Sequence, residues 1–396
     1  MHDVLVVGGG PAGCYAASLL GARGLDVQLL EEHPVIGEPV DCSGVIGAEA
    51  FETLGLPDSI KLGKVGAISL VSPSKLEIHF SPPSPLAYMV DRAAFDRAIA
   101  EKSKKSGVTF HLGCRVVDLR LQHGCVEIAF KKTSEGYSPS GGDPKTLQAS
   151  VVILAGGPRY RFQRKLGMGE PSDFLRTAQS EVTVQGIEKA QVRLGSRAAP
   201  GSFAWIVPFR REKREFAKVG VSTKTNPLPY LKALLGDLHS EGCLDSSEVP
   251  MRSWIIPINP IRRTFAERVL AVGDAAGQAK PTTGGGIFYG LLSAKAAACT
   301  VAAAFEKGDF SVKAMSRYET EWRKRLGGEI RIGAFFRRLA ERLTDEEIDD
   351  LFRIVQSDGI LTSVTKKARF DWHNDVIYFA LRHPALGRIF LKGLFR

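Results

Sequence analysis

Hydrophobic and polar positions divide the chain into segments of two kinds. Val4–Val7 is a short apolar run, a glycine-rich turn follows, and small residues then recur at helical spacing over Pro11–Arg23. Asp26–Leu30 is a second apolar strand, ending at Glu31, so the first thirty or so residues predict one β-α-β unit. Residues 33–60 are richer in Gly, Pro and turns, and short alternating stretches over Gly66–Phe80 read as strands. Asp91–Ser106 reads as an amphipathic helix with Ala94, Phe95, Ala98 and Ile99 on one side. Val116–Leu121 and Val126–Phe130 form a hairpin pattern, Thr133–Lys145 is a Ser/Gly/Pro-rich flexible loop tip, and Leu147–Leu154 returns as a strand ending in Ala155-Gly156-Gly157. Strand patterns dominate Ala178–Ile256. Val269–Val272 is a buried strand, followed by a glycine-rich turn and a helix over Ile287–Phe305. From Ser311 the pattern is helical and basic, with a capping box at Thr344-Asp345-Glu346-Glu347, and there is no internal repeat.

The alternation of β-α-β with all-strand segments predicts an α/β fold. Its parts are a discontinuous Rossmann-like nucleotide domain (1–66, 88–170 and 264–310), an inserted antiparallel-sheet substrate domain with α+β character (67–87 and 171–263), and a helical C-terminal region (311–396).

Composition narrows the class without naming a chemistry. The 396 residues are 44% hydrophobic and 24% charged, ordinary for a globular chain with a sizeable core. No run of eighteen or more uncharged apolar residues occurs, and Met1 and His2 lead straight into a strand pattern, so neither a membrane span nor a signal peptide is expected. Cys14, Cys42, Cys114, Cys125, Cys243 and Cys299 form no C-x-x-C pair; reduced cytosolic thiols are expected, and no metal site. A formal charge of +10 favours phosphates, anionic membrane or nucleic acid, but the basic residues are dispersed and no nucleic-acid motif accompanies them.

The chemistry lies in two glycine-rich turns. Gly8-Gly9-Gly10-Pro11-Ala12-Gly13 fits G-x-G-x-x-G between a strand and a helix, the context that the motif requires. Gly8 permits the turn, Gly10 admits a pyrophosphate to the backbone, and Gly13 lets helix and strand approach. Pro11 and Ala12 begin a helix whose N-terminus faces the phosphates. Glu31 is placed to accept both ribose hydroxyls of an adenosine, and Glu32 reads as a solvated neighbour. The second turn, Gly273-Asp274-Ala275-Ala276-Gly277, puts an acid at a strand end, where it can hold a ribityl hydroxyl that NAD lacks. Gly284, Gly285 and Gly286 then open the helix at Ile287, whose N-terminus can support the pyrimidine end of a flavin. Together the two elements predict FAD.

These elements resemble the flavoprotein group that includes aromatic hydroxylases, and more specifically the geranylgeranyl reductase family. The resemblance is carried by Gly8–Gly13, Pro39-Val40-Asp41-Cys42-Ser43-Gly44, Val90-Asp91-Arg92 with Phe95-Asp96, Gly273-Asp274 through Gly286, and the basic, Trp-bearing stretch Tyr318–Arg325. It covers nearly the whole chain. Members saturate isolated double bonds in polyprenyl chains of lipids, prenyl diphosphates, the chlorophyll side chain or quinone tails. The resemblance implies that Arg92 contacts the flavin and that Cys42 lies near the isoalloxazine as a catalytic candidate for tuning or proton supply. The family's Tyr-x-Trp-x-Phe-Pro pocket motif corresponds to Phe203-Ala204-Trp205-Ile206-Val207-Pro208. Trp205 and Pro208 are kept, while Phe203 and Val207 replace the tyrosine and phenylalanine. On a strand, Phe203, Trp205 and Val207 share one face and make an apolar wall suited to hydrocarbon.

The expected partners are a polyprenyl lipid or prenyl diphosphate and an electron donor, either NAD(P)H or reduced ferredoxin. The expected location is the cytoplasm, peripheral on the inner face of the membrane. Arg388, Lys392 and Arg396 form a basic stripe, and Leu386, Ile389, Phe390 and Leu394 cover another face. That pattern fits a helix lying in a bilayer interface, or equally one docked on its own protein. Three other readings stay open on the sequence: an FAD monooxygenase or halogenase acting on an aromatic substrate, a quinone-linked dehydrogenase, and a non-catalytic flavin-containing prenyl-lipid binder.

Overall fold

The computed structural model describes residues 1–133, 142–357 and 359–392. The chain divides into two compact units, Met1–Val40 with Arg92–Asp173 and Pro257–Ile330, and Asp41–Asp91 with Phe174–Ile256 and Arg331–Arg396.

The first unit is built on an eight-stranded sheet. Its main path runs Phe265–Ala266, Val269–Ala271, Lys145–Leu154, His2–Val7, Val27–Leu30 and Thr109–His111. His2–Val7 pairs in parallel with Lys145–Leu154 (Val7 opposite Leu154) and with Val27–Leu30 (Val7 opposite Leu30). Three strand ends therefore align, the arrangement that places a ligand at the carboxyl edge of a parallel sheet. The expected hairpin is present as Cys114–Gln122 and Cys125–Lys132, antiparallel, with the second strand paired onto Lys145–Leu154. The loop expected over Thr133–Lys145 lies mostly outside the described residues.

Helix Pro11–Gly21 packs against both Arg92–Lys105 and Ile287–Lys307 in this unit. Phe95 and Ile99 of the second are buried as expected, and so is Asp96. Ile287–Lys307 is long and apolar enough to cross a membrane by length and composition. Here it is a core helix that buries Phe288, Tyr289 and Leu291 against the unit's own elements.

The second unit holds a seven-stranded sheet in the order Arg252–Pro257, Phe174–Thr183, Arg214–Thr223, Ala204–Arg211, Ala190–Arg193, Ile68–Val71 and Glu77–Phe80. It is antiparallel apart from the pair Ala190–Arg193 with Ile68–Val71, which is parallel. One face buries Ala178, Ala204, Ile206, Ala217 and Val219 under the helix Leu228–Ser240. That helix lies inside the stretch where strand patterns dominate the sequence, and its Leu231, Leu234, Leu235 and Leu238 supply the buried face.

Residues 41–66 and 88–91 belong to this second unit, not to the nucleotide domain as the sequence predicts. The reason is strand pairing. Val45–Gly47 and Lys61–Val65 both pair with Ala87–Val90 in a three-stranded sheet, and Val65, Ala87 and Met89 pack with Ala190, Val207 and Phe209. The helical C-terminal region is likewise divided, because the helix Val312–Ala340 has residues in both units.

The capping box forms as expected. The Glu347 N–H donates to Thr344 Oγ1 (3.2 Å), and the Thr344 N–H donates to Glu347 Oε2 (3.0 Å). The C-terminal helix Pro384–Lys392 turns Leu386, Ile389 and Phe390 inward. Leu386 and Phe390 pack with Leu339 and Ile360, and Phe336 meets Phe390 at 5.0 Å between ring centroids. These three side chains are therefore docked on the protein and are not free for a bilayer, while Leu391 stays exposed. Arg388 and Lys392 stay exposed, and Leu394 and Arg396 lie outside the described residues.

Candidate active site

Glycine builds the first turn for two different reasons. Gly8 has φ +110°, and a Cβ there would overlap the Ala155 carbonyl oxygen; a Cβ on Gly13 would overlap the carbonyl oxygen of Gly8. These two residues are glycine because strand, turn and helix pack backbone to backbone. Gly10 has φ −70°, and nothing lies within 4 Å of the place a Cβ would take. No packing demands glycine at residue 10, so the space before it is kept for something outside the chain. Pro11 opens the helix, and no side chain caps its N-terminus, which leaves the first-turn N–H groups for an anion.

Glu31 sits beside this turn. Its Oε2 accepts the Gly9 N–H (2.6 Å), and its Oε1 accepts the backbone N–H of His33 (2.9 Å) and lies 2.5 Å from His33 Nδ1. Burial pushes the carboxyl up, but the hydrogen bonds from His33 and Gly9 outweigh it and hold Glu31 below the ordinary range. The hydrogen bond to Glu31 in turn raises the His33 imidazole. Three donors on a carboxylate with about four acceptor sites leave room for one ribose hydroxyl, fewer than the two expected. Glu32 is not a solvated neighbour. It lies 2.5 Å from Arg159 and 3.4 Å from Arg115, two guanidinium groups that converge on it, and 3.9 Å from His33.

The second turn is a 3-10 segment, Gly273–Ala276. Gly273 has φ +63°, and a Cβ on it would lie 3.2 Å from that of Ala12 and 3.9 Å from Gly290 Cα. The two glycine motifs thus meet, with both helix N-termini beside them. Four side chains hold the turn. Tyr160 donates to the Asp274 carbonyl (2.7 Å), Gln163 to the Ala275 carbonyl (2.9 Å), and Tyr318 to the Ala271 carbonyl (2.7 Å), while Gln278 Oε1 accepts the Gly273 N–H (2.9 Å). The sequence reading names none of them as site residues. The Tyr318–Arg325 stretch that carries part of the family resemblance contributes here, through Tyr318.

Among the described residues no donor bonds the Asp274 carboxyl. Burial pushes it up to about 6, against the pull of the Arg92 charge. A Cβ on Gly286 would lie 2.7 Å from Asp274 Oδ1, so the bare glycine lets the acid reach the start of the helix at Ile287. Gly284 is left-handed (φ +76°) and its N–H donates to the Lys280 carbonyl (2.8 Å). Lys280 is buried beneath the loop, and a Cβ on Gly285 would lie 2.5 Å from its Cε. Arg92 is locked by Asp96 through Nε (3.0 Å) and Nη2 (2.8 Å), which aims the guanidinium from the first turn of its helix. The open space at Gly10, the unbonded acid at Asp274 and the uncapped helix fit FAD.

The second unit gathers the remaining candidates around its own core. Cys42 is partly buried, and its Sγ accepts the Gly44 N–H at 3.5 Å. Gly44 has φ +79°, and its carbonyl accepts the Val90 N–H (2.9 Å), so two motifs of the family resemblance touch. Trp205, Val207 and Phe209 share the sheet face opposite Ala204 and Ile206 and pack with Met89 and Ala87. Phe203 precedes the strand Ala204–Arg211, and its ring centroid is 6.0 Å from that of Trp205. Trp205 lies flat over Gly220, where any Cβ would overlap the indole, and its Nε1 is buried with no acceptor among the described residues. Pro208 is tolerated mid-sheet because the neighbouring strand Ala190–Arg193 pairs only with residues 204–206. All six cysteines are free, and no metal-binding group of side chains occurs among the described residues.

Known proteins similar to this chain bind the same cofactor class by family. A model of the FAD binding domain matches residues 1–328. Digeranylgeranylglycerophospholipid reductase 2 of Methanothermobacter thermautotrophicus is 30% identical over 377 residues, covering 92% of this chain and 94% of its own. The chain belongs to the geranylgeranyl reductase family. As a member it is an FAD-dependent oxidoreductase. In fold it is similar to a geranylgeranyl bacteriochlorophyll reductase-like protein of Thermoplasma acidophilum, with a TM-score of 0.84, 22% identity and 99% of each chain covered. It shares its scaffold more loosely with the flavin-dependent brominase Bmp2 in a triple-mutant form, at a TM-score of 0.70, 18% identity and 92% and 94% coverage.

Proposed function

We propose that this reductase saturates isolated double bonds in the geranylgeranyl chains of a glycerophospholipid. The observation that carries the reading is the reductase relative that matches 92% of the chain, whose name gives its substrate as a digeranylgeranylglycerophospholipid. Gly10, Glu31, Asp274 and the Gly284–Gly286 loop would hold the cofactor, Gly8 and Gly13 shape the turn that admits it, and Arg92 would contact it from its helix. FAD held there would, when reduced, be the source of hydride for one carbon of an alkene. The second carbon must gain a proton, and the Cys42 thiol is the candidate donor. Trp205 and Val207 offer the hydrocarbon a dry wall, and water-free surroundings are what an unactivated alkene requires.

The test uses the holoprotein reduced with dithionite under anaerobic conditions and a geranylgeranylated glycerophospholipid as substrate. Product mass rises in two-hydrogen steps; no rise with flavin bound and reduced refutes the reading. Cys42→Ala retains flavin and loses turnover by about 10²–10⁴-fold, the usual worth of a positioned proton donor. Normal turnover in that variant removes the assigned role.

A lipid substrate also calls for contact with a membrane surface, which we assign to the exposed cations Arg388 and Lys392. With Leu386, Ile389 and Phe390 docked, the share of this contact made by the two cations is electrostatic. Arg388→Gln with Lys392→Gln weakens binding to anionic vesicles at low salt, and both proteins release as salt rises. Equal vesicle binding by the two proteins refutes the assignment.

A further inference from the structure

One side chain of the apolar cluster around Trp205 comes from an unexpected place. Met89, Trp205, Val207 and Phe209 stand on strands, as do the other described members except Phe370. Phe370 lies in residues 368–373, an irregular strap between the helices Ile360–Lys367 and Asn374–Arg382. It packs on the cluster from the C-terminal region, and unlike Met89 and Val207 it is only partly buried.

The strap has a prepared seat. Gly47 has φ −58° and ψ 144°, a conformation open to any residue, so the backbone does not demand glycine there. A Cβ on it would overlap Asp371 Oδ2 and lie 3.0 Å from Phe370 Cδ1. The bare position is what lets the strap approach. Beside it the Trp372 indole N–H donates to Glu49 Oε2 (2.7 Å), and Asp371 is buried. His373 Nε2 lies 3.0 Å from the Phe370 carbonyl oxygen. Polar contacts thus hold the strap, and the Phe370 ring is what it presents to the apolar cluster.

We infer that Phe370 is a specificity-determining residue, which ends the apolar wall of Trp205 and Val207 and so limits the length of hydrocarbon chain that the wall admits. Trp372 and Glu49 act through it, as positioning residues. Each isoprene unit laid on the wall before the ring gains burial, and a unit that would overlap the ring gains none. Close-packed apolar groups do not yield by a methylene without cost, so the limit is sharp. This rests on the proposed function for the wall's being the place of the substrate chain.

Two measurements test it. In the first, reduced holoprotein receives prenyl diphosphates with C10, C15, C20 and C25 chains, which differ only in the number of isoprene units. Phe370→Ala raises kcat/KM for the C25 chain relative to the C20 chain at least about tenfold, the worth of further buried hydrocarbon, and leaves kcat and KM for the C10 chain as in wild type. Phe370→Leu gives a smaller shift in the same direction and keeps the test open should the alanine variant not fold. Phe370→Trp moves the preference to shorter chains. Trp372→Phe, which removes a donor that holds the strap, moves it as Phe370→Ala does, an effect that lost stability alone would not produce. A length profile unchanged in Phe370→Ala and Phe370→Leu, with FAD retained, overturns the inference. So does a loss uniform across all chain lengths, the mark of a merely structural residue.

The second measurement needs no turnover. Oxidised holoprotein is titrated with the fully saturated diphosphates of the same lengths, followed by tryptophan emission. Binding preference that moves to the longer chain in Phe370→Ala supports the inference even where no chain is reduced, and in that case only the proposed function fails. Affinities that depend on length in the same way in both proteins overturn the inference, whether or not the chains are reduced.

Discussion

Gly10 and Gly13 stand three residues apart in one motif, and the structure assigns them opposite sensitivities. A methyl group on Gly13 would overlap the Gly8 carbonyl oxygen and lie 3.0 Å from Ala155 Cβ. The obstacles are backbone and a short side chain, so the helix Pro11–Gly21 must move by about an ångström to restore ordinary carbon contacts of ~3.5 Å. Overpacking of this kind costs about 1–3 kcal/mol. Gly10→Ala meets no atom within 4 Å, and φ −70° suits alanine. Lower unfolded-chain entropy stabilises it by about 0.4–1 kcal/mol, while alanine is the poorer N-cap by a similar amount. The two nearly cancel, and the apo protein is unchanged within about 0.5 kcal/mol. The cofactor reverses the ranking for Gly10, because the methyl group then stands where the pyrophosphate must approach the backbone. Thermal melting of the flavin-free proteins and FAD titration by flavin fluorescence measure the two effects. Gly13→Ala melts lower than wild type; Gly10→Ala melts with wild type and binds FAD at least about tenfold more weakly, one lost phosphate contact. A Gly10→Ala protein with wild-type FAD affinity refutes the placement of the pyrophosphate, and a Gly13→Ala protein with wild-type melting refutes the packing argument.

Two further predictions concern charge. Asp274 keeps its proton to about pH 6 in the folded chain and to about 3.8 when unfolded, so the folded state holds more protons between those values and stability falls as pH rises through them. Above pH 6 the ionised carboxylate costs up to ~3 kcal/mol. Asp274→Asn therefore raises the apo melting temperature at pH 7.5 and hardly at pH 4, while weakening FAD binding; a gain equal at both pH values contradicts the cause. Arg92→Met leaves the buried Asp96 without its bidentate partner and destabilises the apo protein by about 3–5 kcal/mol. Adding Asp96→Asn recovers much of the loss in denaturant melts, and no recovery means that the arginine acts through something other than this pair.

The flavin cradle is legible in the sequence because each of its requirements is local. A left-handed turn at Gly8, a bare helix start at Gly10 and an acid after a strand at Asp274 are fixed by neighbours a few residues away. The side chains that hold the second turn are not legible. Tyr318, Gln163 and Tyr160 reach it across 47, 112 and 114 residues of chain, and a tyrosine or glutamine in a helix carries no mark of such a contact. The misplacement of residues 41–66 has the same origin. Nothing within Val45–Gly47 or Lys61–Val65 says that both will pair with Ala87–Val90. The helix Leu228–Ser240 is a different case, since Leu231, Leu234, Leu235 and Leu238 recur at helical spacing, and the signal is masked only by the strands on either side.

The C-terminal helix shows where a pattern stops being evidence. Its apolar and basic faces satisfy two physical situations equally, because hydrocarbon tails and a protein core both accept Leu386, Ile389 and Phe390. What separates them is the presence of a complementary surface. The helices around it supply one, from Phe336, Leu339 and Ile360. With Leu386, Ile389 and Phe390 buried, Arg388 and Lys392 are the cations that this helix presents among the described residues, and the attraction of a membrane to them is screened within about 10 Å at 0.1 M salt. Apolar insertion would persist in high salt, whereas a contact made only by these two cations is released, so salt dependence separates the docked helix from an inserted one.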